Sequence, residues 1–87
     1  MNDFNKDPDG NYEKKFSNGW YATVVMWPSM NHPYLSIMDG HNETQLDVEL
    51  NPFESITDDC IDKARFMVKN YLAEYINGMN QALREIS

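Results

Sequence analysis

Residues 57–86 read TDDCIDKARFMVKNYLAEYINGMNQALREI, and the spacing of apolar residues in this stretch decides the fold. Ile61, Ala64, Val68, Tyr71, Leu72, Tyr75, Met79, Ala82, Leu83 and Ile86 recur at short helical intervals, which places them on one face of a helix. Thr57 supplies an N-cap oxygen. Asp58 and Asp59 put negative charge where the helix dipole is positive, and Ile56 with Ile61 fits a hydrophobic staple across the cap. Asn77-Gly78 is a helix-ending dipeptide, yet the apolar stripe stays in phase across it, and one interior Gly costs only about 1 kcal/mol relative to Ala. One long helix with a weak point is expected rather than two. Phe66 points off the stripe, beside Asp62, Asn70 and Ala73, and is a candidate contact residue.

The segments before the helix read as strands. Glu43 to Leu50 alternates, with Thr44, Leu46, Val48 and Leu50 on one face and Glu43, Gln45, Asp47 and Glu49 on the other, the pattern of a half-buried strand. Trp20 to Trp27 is β-branched and aromatic on both faces. Tyr34 to Met38 is a further strand, and Tyr12 to Ser17 a short one joined to Trp20 through Asn18-Gly19, read as a two-residue type I′ hairpin. Residues 28–33 carry two prolines and form a loop, and Asp39 to Asn42 is a tight turn. Short connections favour a meander. The expected fold is α+β, an antiparallel β-meander of three to four strands packed on one long C-terminal α-helix.

Residues 1–87 form one domain, with no repeat or linker, and residues 1–11 read as a loose N-terminal arm. Asn5, Asp7, Asp9 and Gly10 match the first half of a calcium-binding loop, but the twelfth position is Phe16 where a bidentate Glu is required, so a plain turn is expected.

Charge bounds the function. The chain carries 14 acids against 7 bases, a net charge of −7, and no Lys or Arg lies between Phe16 and Asp62. Phosphate binding needs a basic surface, so direct nucleic-acid binding is not expected. The natural counterpart is a protein with a basic surface. No apolar h-region or membrane-spanning run is present, and the single Cys60 allows no intrachain disulfide; a cytoplasmic protein is expected.

Reactive constellations are sparse. Cys60 lies in the helix's first turn, where the dipole lowers a thiol pKa but Asp58, Asp59 and Asp62 oppose it. His32 and His41 sit in turns. One Cys and two His without paired spacing match no zinc pattern, and the four glycines stand apart rather than forming a phosphate loop. No catalytic residue, metal or cofactor is assigned, and a non-catalytic protein is expected.

Two surfaces remain. Glu43, Asp47 and Glu49 with Asp58, Asp59 and Asp62 suggest an anionic track, the carboxylates of Asp47 and Glu49 projecting roughly 6.6–6.8 Å apart along a strand. Tyr21, Trp27 and Tyr34 fall on the sheet face turned from the helix, unless Trp27 and Tyr21 fold over the sheet edge or Tyr12 and Phe16 cover them. The first expectation is an inhibitor or regulator that occupies a basic, nucleic-acid-binding channel of a larger protein, of the sort phages use against host defence or transcription. The second is an oligomerising module, including a homodimer. A β-meander followed by a helix beginning Ser55-Ile56-Thr57-Asp58-Asp59-Cys60 is similar in rhythm to small antitoxin domains of the HicB type, which implies such a module.

Overall fold

In the computed structural model, which describes residues 4–86, five strands precede one helix. They are β1 (Asn5–Lys6), β2 (Tyr12–Lys15), β3 (Tyr21–Val25), β4 (Tyr34–Met38), β5 (Thr44–Glu49) and α1 (Asp58–Ile86). The sheet order is β1-β2-β3-β4-β5, every neighbour antiparallel. The fold is the expected α+β meander and helix, with five strands instead of three to four. The additional strand is β1, and Phe4 before it is buried in the core. Of the stretch read as a loose arm, Asn5 and Lys6 are sheet and residues 7–10 turn into β2; residues 1–3 lie outside the described residues.

Three of the four strand connections use one device. At Asp7, Phe16 and Asp39 the N–H bonds to the carbonyl four residues on, and the carbonyl accepts from the N–H three residues on. The residue at that third step has positive φ: Gly10 at 87°, Gly19 at 93° and Asn42 at 61°. This is the three-residue loop, a type I turn closed by a left-handed residue. Asn18-Gly19 is thus not a two-residue type I′ turn. A type I′ turn needs positive φ at both central residues, and only Gly19 has it.

Ala22 and Val24 of β3, Leu35 and Ile37 of β4, Leu50 after β5, and Cys60, Ile61, Ala64 and Val68 of α1 form the buried core with Phe4. Tyr12, Phe16 and Trp20 pack against it from the helix side. They do not cover the other sheet face. Cys60 is fully buried, and burial pushes its thiol pKa up, against smaller opposing pulls from the Thr57 backbone and Lys63. The expected dipole effect is outweighed, and Cys60 is a packing residue.

The helix starts where expected. The N–H of Cys60 donates to Thr57 Oγ1 at 3.2 Å and that of Ile61 to the Thr57 carbonyl at 3.0 Å. It continues through Gly78 without a break for 29 residues, which at 1.5 Å per residue is about 43 Å. The strands it crosses are at most six residues long. The molecule measures 49 × 27 × 24 Å, and the long dimension follows from this mismatch.

Candidate protein-binding surfaces

Because α1 covers one face of the sheet, alternation delivers a second set of side chains to the other. Register places Tyr21 opposite Met38, Val25 opposite Tyr34, and Thr23 opposite Ser36. Tyr34 in turn faces Glu49, and Ser36 faces Asp47. On the far side Glu13 of β2 lies opposite Thr23. The face is therefore a row of hydrogen-bonding residues, Glu13, Thr23, Ser36 and Asp47, flanked by Tyr21 with Met38 on one side and Tyr34 with Glu49 on the other.

Side-chain bonds hold it in place. Tyr34 donates its hydroxyl to Glu49 Oε2 at 3.1 Å, and Ser36 donates to Asp47 Oδ1 at 3.1 Å. The Glu49 carboxylate, as acceptor and as neighbouring charge, raises the Tyr34 pKa, with smaller contributions from desolvation and Asp47. His32 Nδ1 is 2.7 Å from the Phe53 carbonyl, and its Nε2 is 3.9 Å from Glu49 Oε1. Tyr21 donates to Asn42 Oδ1 at 3.3 Å.

One strand position departs from simple alternation. Ile37 pairs with Leu46 but Met38 pairs with Thr44, so Gln45 is the extra residue of a bulge. The bulge reverses two assignments. Thr44, expected inward, is exposed and places its hydroxyl 3.2 Å from Met38 Sδ. Gln45, expected outward, meets the Tyr71 hydroxyl of α1 at 3.5 Å and donates to Asp39 Oδ2 at 2.9 Å.

The residues proposed from sequence divide into separate groups. Tyr21, Tyr34, Asp47 and Glu49 share the outer face. Trp27 lies beyond the end of β3 in a turn closed by Met30, half exposed. Glu43 is exposed where the β4–β5 turn closes. Asp58, Asp59 and Asp62 are exposed on α1, where Asp62 pairs with Arg65 at 3.2 Å. Since α1 packs on the inner face, these acids belong to a different layer of the fold from Asp47 and Glu49. Phe66 is exposed on the back of the helix, away from the core.

A second feature joins the helix to the β2–β3 turn. Trp20 meets Tyr75 edge-on with ring centroids 5.0 Å apart, and Tyr71 stacks on Tyr75 at 6.4 Å. Beside them lies a groove of about 360 Å³ lined by Phe16, Ser17, Asn18, Trp20, Leu72, Tyr75 and Ile76. Ile76 was not on the sequence stripe, although its spacing from Leu72, Met79 and Leu83 marks it.

Among the described residues, no group of three or more His, Cys, Asp or Glu side chains could hold a metal ion. No described helix is long and apolar enough to cross a membrane. No protein-family model matches the chain, and neither a curated protein nor a solved structure is similar to it.

Proposed function

We propose that this chain is a non-catalytic protein-binding protein whose outer sheet face docks on a basic surface of a larger protein, acting there as an inhibitor or regulator. The observation that carries this reading is the uncovered face, with Tyr21, Tyr34 and Met38 beside Asp47 and Glu49. Tyrosines supply large contact area at low entropic cost, methionine adapts to its partner, and carboxylates pair with Lys and Arg. The spacing of Asp47 and Glu49 along the strand, roughly 6.6–6.8 Å, is about twice the axial phosphate spacing of one DNA strand. The partner proposed is one whose basic surface is built to hold nucleic acid.

The test is retention of cellular proteins on the immobilised chain at low and high salt. Wild type is expected to hold a basic protein at low salt and release it as salt rises, and the variant D47K/E49K is expected not to hold it. If the charge-reversed chain captures the same proteins with the same salt dependence, the outer face is not the binding surface.

A further inference from the structure

Beyond Tyr75 the helix leaves the sheet but keeps an apolar side. Leu72, Ile76, Met79 and Leu83 follow steps of four, three and four, the spacing of a coiled-coil seam. Ile76, Met79 and Leu83 are 58%, 55% and 64% exposed. Single exposed apolar side chains are ordinary on a protein surface. A row of them running out of an aromatic-lined groove marks a contact surface.

Charge selects the occupant. No residue from Tyr75 to Leu83 is charged, in a chain of net charge −7. A basic partner finds nothing to pair with here. Two copies of the chain repel one another through their net charge, and an uncharged apolar segment is the surface on which they approach at least cost. The positions beside the seam, Ala73, Asn80 and Ala82, are small or neutral, and nothing at them opposes a second helix.

We infer that the tail of α1 is a homodimerisation element. Two copies pair their tails antiparallel about a two-fold axis beside Asn77-Gly78, and each fills the other's groove. In this register Leu83 of the second copy sits against Leu72 at the groove, and Met79 of the second copy sits against Ile76. The two-fold axis repeats both contacts, which closes the assembly at a dimer. The four-three-four spacing reads the same from either end about this axis, as an antiparallel pairing of two identical helices requires. A seam of this length is small against the roughly 800 Å² per partner of a stable interface. The dimer is therefore reversible, and its fraction rises with concentration.

Sedimentation equilibrium of the full chain tests this. The expected mass climbs from the 10.2 kDa of one chain toward twice that value as concentration rises to about 1 mM. Ile76→Lys and Met79→Glu are each expected to hold the chain at monomer mass. Mixed in equal amounts they are expected to dimerise again, because the antiparallel register sets the introduced lysine against the introduced glutamate. Wild type that stays monomeric at the highest concentration overturns the proposal and leaves the seam to a different partner. A dimer that persists in both variants places the interface elsewhere, and a mixture that stays monomeric overturns the register. D47K/E49K, which lowers the net repulsion between copies, is expected to dimerise at least as readily as wild type, so this outcome is independent of the outer-face reading.

Discussion

Asp39 organises a turn with one side chain. Its Oδ1 accepts the N–H groups of His41 at 2.8 Å and Glu43 at 3.0 Å, while Oδ2 accepts from the Gln45 amide at 2.9 Å. Bonds to the ionised carboxylate hold its pKa below the usual carboxylate range. The Glu43 N–H contributes most, partial desolvation opposes it, and His41 and Gln45 add smaller pulls. The unfolded chain therefore takes up this proton at higher pH than the folded chain. The stability Asp39 contributes is fully present above its unfolded pKa and is lost as pH falls through its folded pKa. Acid unfolding followed by tryptophan fluorescence should have a shallower pH dependence in Asp39→Asn across that window. Superimposable curves would mean that the turn does not depend on the charge. Asp7 repeats the arrangement, its Oδ1 accepting from Asp9 and Asn11 at 2.9 Å each. The Asp-rich turns of this chain thus serve local structure before any partner.

At the scale of elements, two glycines are expected to respond to the same substitution in different ways. Gly19 sits at φ 93° in the β2–β3 loop. An added Cβ would meet only an ordinary contact, 3.7 Å from Gly40 Cα, so the resistance is conformational. Gly19→Ala should lower global stability by about 1–2 kcal/mol, read as a lower urea midpoint. Gly78 is helical, and a Cβ there meets nothing within 4 Å. Gly78→Ala should strengthen the helix by up to about 1 kcal/mol and raise the helical circular dichroism signal. A loss of helicity would show that the tail is not the continuous helix described.

The whole molecule is a long helix on a short sheet. Strands of five or six residues span roughly 17–20 Å, less than half the helix, and the core residues of α1 end at Val68 with partial burial to Leu72. Stability must therefore fall along α1. At dilute, monomeric concentration, amides from Asn77 onward should exchange with solvent well before those of Ala64 to Leu72, which open only with the core. Uniform protection along the helix would contradict that gradient. The sheet has the opposite asymmetry, one face committed to α1 and the other left to solvent.

Much of this was legible in the sequence because it is local. The three-and-four spacing of Ile61, Ala64, Val68 and Leu72 determined the helix and the face it buries. Thr57 determined its start, and phase across Gly78 its continuity. Alternation determined that Tyr21, Tyr34, Asp47 and Glu49 share the face away from the helix. The tertiary structure decided what depends on pairing between distant residues. The bulge at Gln45 arises from how β5 pairs with β4, and it exchanges the faces of Thr44 and Gln45 with no change in local composition. Phe4 and β1 join the fold because β2 offers an edge and the core accepts a ring, neither of which is visible in a polar N-terminal stretch. Cys60 is buried because the helix packs flush from its first turn. The acids of β5 and α1 are neighbours in sequence and charge, yet they belong to different layers, Asp47 and Glu49 to the sheet and Asp58, Asp59 and Asp62 to the helix packed on its inner face. The connection between them returns the helix to the inner face, while a strand must send every second side chain outward.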